Sequence, residues 1–282
     1  MSDVIACIDG SPAATRVCDY ASWAAKQLDA PLTFLHVLDH SRYPVESNLS
    51  GNLLLGGRET LLTELSELDA KRNKLALEQG RLLLESVVQR ATDAGVETPK
   101  QSQRHGNLVE TLGELQTQTR LLIIGKMGEE HAGEAAQIGD HVELVLRAMH
   151  KPVLVVPSDF TPPKSFMIAF DGSPTCRDGV AMLASSPLLA GLPCHLVAVG
   201  GDEQVQEEMA RAESVLTEAG HQVQSVQLEG EVEPTLHHYQ QDNGIDLVVM
   251  GAYGHSRIRE FLVGSTTRKM ITNAKVPHFV LR

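Results

Sequence analysis

The chain has 282 residues, of which 42% are hydrophobic and 21% are charged, and its formal net charge is −12. This length suffices for two domains of ordinary size, and the composition is typical of a soluble globular protein. The acidic charge excludes a general affinity for nucleic acid or anionic membranes, because phosphate contacts require clustered cations. The longest apolar runs, such as Val153–Val156, are far too short to cross a bilayer.

The first predicted element is a buried strand, Val4–Ile8, which begins without the basic segment of a signal peptide. It ends in Asp-Gly, followed by Ser11 as a predicted helix N-cap and Pro12 as the first helical residue. No C-x-x-C pair occurs among the cysteines, which predicts reduced thiols and a cytoplasmic protein. The four cysteines are Cys7, Cys18, Cys176 and Cys194.

An insert at about residues 40–71 follows the second predicted strand. It begins as a loop rich in asparagine and glycine, and a helical pattern is predicted from Arg58 onward. Because the insert leaves the carboxyl end of a strand, it lies beside the place where ligands bind in doubly wound sheets. The apolar run Leu53–Leu55 allows a lid or a partner contact, and a plain surface excursion is the alternative.

Three motifs of the first half return in the second half in the same order. The opening strand with Asp-Gly-Ser-Pro recurs at Phe166–Pro174, and the glycine-ended strand Leu121–Gly128 recurs at Leu247–Gly254. The last strand, Pro152–Val156, recurs as Pro277–Leu281. Such a series indicates an internal repeat.

Between these motifs, both halves alternate strands with amphipathic helices. One predicted helix in each half ends at a glycine, Gly95 or Gly220, as a C-terminal cap would. The fold class is therefore α/β, with two tandem doubly wound domains, each a five-stranded parallel sheet with helices on both faces. The predicted domains are residues 1–157 and 164–282, joined by a proline-rich linker.

The second half contains a glycine loop, Gly251-x2-Gly254-x9-Gly264-Ser265, between a strand and the helical stretch Thr266–Ala274. The amino end of a helix attracts anions through its free N–H groups and dipole, and a serine hydroxyl adds a donor. Residues 251–268 carry three arginines against one glutamate on an otherwise acidic chain. The loop therefore predicts a phosphate site.

A strand that ends in aspartate, combined with G-x2-G-x9-G-[ST], resembles the universal stress protein family over nearly the whole chain, twice. The resemblance implies that the two domains pack as a pseudo-dimer through their last strands, and that ATP, with or without Mg²⁺, binds at the carboxyl ends of the strands. It implies the following contacts: Asp171 near the adenosine, the Val199 backbone near the adenine, Met250, Gly251 and Gly254 along the ribose and phosphates, and Gly264, Ser265 and Thr266 around the phosphates.

The first half departs from this pattern. Its loop has ten residues between Gly128 and Gly139, and Asp140 replaces the serine. Residues 125–140 carry four carboxylates against one lysine, which repels a triphosphate. We therefore interpret the first half as degenerate, although it could still bind a nucleotide in another way.

Other candidate residues have weaker patterns. Asp9 and Asp171 could be general bases, although turn formation or ligand contact explains them as well. The adjacent pair His237-His238 points in two directions on a helix, which predicts exposed histidines rather than a metal site. A divalent cation could be held by residues around the degenerate loop: His131, His141, Glu134 and Asp140.

The resulting hypothesis is a regulatory stress-response protein that binds an adenine nucleotide in its second half with little or no turnover. An interaction module for an unidentified protein or small molecule, without nucleotide, is one alternative. A nucleotidyl-transferring or ATP-hydrolysing enzyme is another, but the sequence shows no convincing base or metal ligand for it. No nucleic acid or membrane partner is expected, and two chains could pair as a homodimer.

Overall fold

The computed structural model describes residues 2–38, 55–127, 140–252 and 264–282. Strands and helices alternate in both halves, as predicted. The first half contains β1 (Asp3–Cys7), α1 (Ala14–Leu28), β2 (Leu32–Leu38), α2 (Leu55–Asp93), β3 (Lys100–His105), α3 (Leu108–Leu115), β4 (Thr119–Gly125), α4 (Asp140–Ala148) and β5 (Val153–Val156). The second half contains β6 (Phe166–Ala169), α5 (Pro174–Ser185), β7 (Cys194–Val199), α6 (Glu203–Glu218), β8 (Val223–Leu228), α7 (Val232–Asp242), β9 (Val248–Gly251), α8 (Ser265–Thr272) and β10 (His278–Leu281).

The ten strands form one sheet in the order β3-β2-β1-β4-β5-β10-β9-β6-β7-β8. Strands within each half are parallel, and β5 pairs with β10 antiparallel, with Leu154 opposite Phe279. The α/β fold of two five-stranded units is thus confirmed. The pseudo-dimer has an edge-to-edge form, in which the last strands make the joint between the halves.

The antiparallel joint has two geometric consequences. The carboxyl ends of the strands in the two halves lie at opposite edges of the sheet, so any two ligand sites are far apart. Helices α1, α2, α5 and α6 share one apolar cluster on one face, represented by Val17, Leu84, Val180 and Met209. Helices α3, α4, α7 and α8 cover the opposite face.

The burial of the strands explains their composition. All four residues of β5 and of β10 are buried, because helices cover both faces at the centre of the sheet. The outer strands β3 and β8 are polar and partly exposed, as in Lys100–His105, which discourages pairing with other chains.

The ends of the helices confirm the predicted caps in three cases and correct one. Ser173 caps α5 by accepting the Cys176 N–H at 3.3 Å. Gly95 and Gly220 follow α2 and α6 with φ of +88° and +92°, which suits glycine. The predicted cap at Ser11 is wrong: α1 begins at Ala14, and the Ser11 hydroxyl donates to the Asp9 carboxylate at 2.5 Å instead.

Helix α2 is 39 residues long and begins at Leu55, slightly before the predicted Arg58. It contacts the sheet closely at Gly80, where a Cβ atom would lie 2.6 Å from Cδ2 of His36. Most side chains between Thr63 and Gln79 are exposed. The preceding part of the insert, with Leu53 and Leu54, lies outside the described residues. No described helix has the length and apolar character that crossing a membrane requires.

The linker between the halves is fixed to α1. The ring of Phe160 packs edge-on against Tyr20, with ring centroids 4.7 Å apart. Arg16 Nε donates to the carbonyl of Ser158 at 3.2 Å. The linker therefore positions the second half instead of acting as a free tether.

Polar contacts also cross the joint between the halves. Lys126 Nζ donates to the Ala274 carbonyl at 3.2 Å, after the end of α8, and Arg282 Nε donates to the Met149 carbonyl at 2.6 Å, after the end of α4. Cations at helix carboxyl ends satisfy free carbonyls and complement the helix dipole. The two halves thus cap each other's last helices.

Candidate functional site

The predicted site lies at the carboxyl edge of the second half. The chain leaves β6 towards β7 and β8 and then returns to β9 on the other side of β6. This reversal of strand order is a topological switch point, and in doubly wound sheets ligands bind in the crevice that such a point creates beyond the carboxyl ends of the strands, here those of β6 and β9. Asp171 follows β6 and Gly251 ends β9, so the two residues flank this crevice.

Asp171 shapes the turn that leads into α5. Its carboxylate accepts the backbone N–H of Ser173 at 2.9 Å, and Gly172 adopts φ of +71°. Behind the turn, burial and the nearby Asp171 charge raise the pKa of the Cys176 thiol to about 12. The thiol is therefore protonated near neutral pH and is not a nucleophile.

Val199 is the last residue of β7 and is partly buried. Two residues earlier, the Val197 carbonyl accepts the N–H of Phe170 at 2.8 Å. Alternate residues of a strand face the same neighbour, so the Val199 backbone faces the same side, beyond the end of β6. This position fits a backbone contact with a ligand in the crevice.

The end of β9 offers backbone groups only. The Met250 side chain is 4% exposed and belongs to the apolar cluster under α7 and α8, so it does not reach a ligand in the crevice. The Gly251 carbonyl accepts the Thr267 hydroxyl at 3.0 Å. Gly254, which was predicted along the ribose and phosphates, lies outside the described residues, as do Arg257 and Arg259.

Helix α8 begins beside this strand end without a side-chain cap. Its N-cap is Gly264, whose N–H donates to the Ala252 carbonyl at 3.2 Å and so does not point to a ligand. The next N–H groups, of Ser265, Thr266 and Thr267, belong to the first turn, which has no intrahelical acceptors. Ser265 is exposed and Thr266 half-exposed. These backbone groups and the Ser265 hydroxyl can contact an anion.

Thr267 is a structural residue of this site that the sequence analysis missed. Its side chain is 3% exposed, and its hydroxyl lies 3.0 Å from the Gly251 carbonyl and 3.3 Å from the Ala252 carbonyl. The hydroxyl therefore ties the first turn of α8 to the end of β9. The sequence feature that could have indicated this role is a hydroxyl residue three positions after Gly264, within the first turn of the predicted helix.

We expect Thr267→Val to lower the free energy of unfolding by about 1–2 kcal/mol, because a buried hydrogen bond is lost at nearly constant volume. Thr267→Ser keeps the hydroxyl and serves as the control, with a smaller loss. Urea unfolding monitored by circular dichroism checks both variants. Equal stability of Thr267→Val and the unsubstituted chain would show that this bond does not hold α8 in place.

The equivalent edge of the first half is built differently. Lys126, at the position of Ala252, directs its ammonium to Ala274 of the other half rather than to a ligand, and burial lowers its pKa. His131 and Glu134, proposed with His141 and Asp140 as cation ligands, lie outside the described residues. Within the described part of the chain, no group of three acidic, histidine or cysteine side chains could hold a metal ion.

A surface cavity of about 370 Å³ lies elsewhere, between α7 and the end of α8. His237 lines it, and its side chain is only 15% exposed, so the prediction of an exposed His237 is wrong; His238 is exposed as predicted. Burial lowers the pKa of His237. The cavity includes Asn273 and Lys275, which follow α8, and thus lies away from the amino end of that helix.

Comparison with known proteins agrees with the repeat. The model of the Universal stress protein family matches the chain twice, at residues 1–157 and 163–282. The chain belongs to the universal stress protein family. A curated relative, Universal stress protein Slr1230 of Synechocystis sp. (strain PCC 6803), is 36% identical over 287 residues, and the alignment covers 100% of both chains.

Solved structures show the same fold over the whole chain. A universal stress protein from Archaeoglobus fulgidus DSM 4304 matches with a TM-score of 0.68 at 17% identity, over 99% of this chain and 95% of that one. A functionally unknown protein, PA1789 from Pseudomonas aeruginosa PAO1, matches with a TM-score of 0.62 at 16% identity, over 100% and 92%. The tandem arrangement of this universal stress protein therefore occurs in other solved chains.

Proposed function

We propose that this universal stress protein binds one adenine nucleotide, ATP with Mg²⁺, in its second half and acts as a cytoplasmic stress-response regulator without appreciable turnover. The observation that carries the proposal is the uncapped amino end of α8 beside the crevice at the ends of β6 and β9. Other members of the family have been solved in complex with cAMP and with dAMP. For this chain the proposal rests on its own geometry.

The phosphates would lie at the first turn of α8. A glycine N-cap leaves the N–H groups of the first turn without a side-chain acceptor, whereas a serine or aspartate would occupy one of them. Oriented N–H groups at a helix amino end favour an anion. Arg268 is engaged by Glu143 at 2.5 Å, so we assign the cationic contacts to Arg257 and Arg259 of the glycine loop.

The nucleoside would lie across the end of β6. Asp171 stands at the turn after this strand, and the Val199 backbone faces the same space from β7. A carboxylate is a suitable acceptor for ribose hydroxyls, and backbone groups suit the polar edge of an adenine. We retain Gly251 and Gly254 as close backbone contacts between the sugar and the phosphates, and Met250 as a backbone contact only.

Regulation fits the site better than catalysis. The Asp171 carboxylate is used in a turn and the Cys176 thiol is buried and protonated, so neither is a free base or nucleophile.

A second candidate function, protein interaction independent of nucleotide, is favoured by exposed leucines on α2 at positions 68, 75 and 82. Both functions can coexist, because α2 belongs to the other half. The four cysteines are unpaired, which agrees with a cytoplasmic location.

Calorimetric titration of ATP with Mg²⁺ into protein stripped of copurified nucleotide tests the proposal. We expect one site per chain and no sustained release of phosphate. Binding at two sites would show that the first half is also competent, in spite of its acidic loop. No binding would refute the nucleotide proposal and leave protein interaction as the function to test.

A further inference from the structure

An ion pair joins the two halves near the amino end of α8. Arg268 Nε lies 2.5 Å from Glu143 Oε1, and Glu143 belongs to α4 of the first half. Within the described part of the chain, Arg268 is the only cation at ion-pair distance from this carboxylate. The pair therefore connects the helix of the proposed phosphate site to the half for which no nucleotide is proposed.

The two partners of this pair differ in exposure. The Glu143 side chain is 21% exposed and its Oε1 atom is buried, whereas the Arg268 side chain is 65% exposed. A carboxylate oxygen that is removed from water is costly without a compensating cation, while an exposed guanidinium remains hydrated. Glu143 therefore retains Arg268, because releasing it would leave a partly buried charge without its partner.

Arg268 stands where an arginine can reach phosphates at the first turn of α8. It follows Ser265 by three residues, so the two Cβ atoms lie about 5–6 Å apart, on neighbouring sides of the helix. A long helical side chain extends towards the amino end, over the preceding turn. A guanidinium that is free of Glu143 would thus lie over the exposed Ser265, and it can bind a phosphate through two parallel hydrogen bonds.

We propose that Glu143 sets the affinity of the nucleotide site by withholding Arg268 from the phosphates. This role rests on the proposed binding of ATP in the second half, and it brings a residue of the first half into the control of that site. A phosphate at α8 competes with Glu143 for one guanidinium and is also repelled by the Glu143 charge. The first half thereby lowers the affinity of the second half for polyphosphates.

Glu143→Gln tests this role, because it removes the charge at nearly constant shape. The released Arg268 is expected to raise the ATP affinity about tenfold, as one additional charge-assisted hydrogen bond between partly exposed groups would. Adenosine has no phosphate, so it is expected to bind both chains equally. Calorimetric titration of ATP with Mg²⁺, and of adenosine, measures both effects.

A double variant, Glu143→Gln with Arg268→Gln, identifies the group that is released. Its ion pair is replaced by two neutral amides, so the local net charge equals that of the unsubstituted chain. Its ATP affinity is expected to return to within about a few-fold of that chain. A double variant that keeps the gain would overturn the proposal, because Arg268 would not be its source. A double variant far weaker than the unsubstituted chain would also overturn it, because Arg268 would then contact the phosphates even in the presence of Glu143.

Glu114→Gln is the matched control for net charge. Glu114 is also a carboxylate of the first half that pairs with an arginine, but its partner, Arg104, belongs to the same half and lies 2.9 Å away. The control is expected to leave the ATP affinity unchanged. An equal gain in Glu114→Gln would show a general effect of net charge and would overturn the specific role of Glu143. Urea unfolding checks that both variants remain folded.

The outcomes separate this role of Glu143 from nucleotide binding itself. If the unsubstituted chain binds ATP and Glu143→Gln binds it no more tightly, Glu143 does not withhold Arg268, and the nucleotide site stands. If neither chain binds ATP, the nucleotide site is refuted and the role of Glu143 with it. Binding that is detectable only in Glu143→Gln, and is lost again in the double variant, would support both.

Discussion

A Gly264→Asp variant is expected to lose at least about a hundredfold of its ATP affinity without losing stability. Gly264 has φ of −56° and ψ of 140°, a conformation open to any residue, so the substitution introduces no backbone strain. An aspartate N-cap accepts the N–H groups of the first turn, which stabilises the helix and occupies the donors that the phosphates need. Its charge also repels the phosphates, at a cost of a few kcal/mol at about 4 Å.

Two control variants separate the causes of this loss. Gly264→Ala adds neither an acceptor nor a charge, so its affinity is expected to stay within a few-fold of the unsubstituted chain. Gly139→Asp makes the same change at the equivalent position of the first half, where no nucleotide is proposed, and is expected to have no effect. Calorimetric titration measures all three variants. Full ATP affinity in Gly264→Asp would show that the phosphates do not lie at α8.

The parts of the fold that depend on local pattern could be predicted from the sequence. Apolar runs that end in Asp-Gly or Gly-x-x-Gly identified strands of both halves, and the glycines at 95 and 220 ended the helices as expected. The cap at Ser11 was predicted wrongly because the motif alone does not fix where the helix begins. The Ser11 hydroxyl donates to the Asp9 carboxylate and α1 begins at Ala14, whereas α5 begins directly after Ser173 in the same motif.

Residues whose environment comes from tertiary contacts could not be predicted. His237 was predicted to be exposed on a helix, but α7, which carries it, packs beside α8, and the side chain is only 15% exposed. Thr267 was overlooked because its role requires the end of β9 to lie against the first turn of α8. Met250 was predicted as a ligand contact from its place in the motif, and only the sheet shows that its side chain points into the core.

The fusion of the two halves allows equivalent positions to differ. Glu143 and Arg268 each lie four residues after the last loop glycine, and they form an ion pair at 2.5 Å across the joint. Two identical domains would place like charges there. The tandem chain thus replaces a repulsion with an attraction, and its first half differs from the second also in the acidic sequence 125–140 and in the long helix α2.

Acid is expected to destabilise the joint between the halves through His278. This residue lies in β10 opposite Val155 of β5 and is 1% exposed. Its Nδ1–H donates to the Val276 carbonyl at 2.9 Å, and its buried Nε2 has no hydrogen-bond partner among the described residues. Burial lowers its pKa from 6.5 to about 4, and the nearby His237 and Lys126 contribute in the same direction.

The sign of the pH effect follows from these pKa values. Between pH 6.5 and about pH 4 the unfolded chain binds a proton at His278 that the folded chain does not, so the free energy of unfolding falls as the pH is lowered. The full contribution is about 3 kcal/mol, at roughly 1.4 kcal/mol per pH unit. Urea unfolding from pH 7 to pH 4 measures it. His278→Asn retains a donor for Val276 but cannot titrate. Unfolding of this variant therefore takes up about one proton less per molecule over this range, and its free energy of unfolding falls less steeply with decreasing pH. Identical slopes for both chains would show that His278 is not buried in its neutral form, and that acid acts on this universal stress protein through other groups.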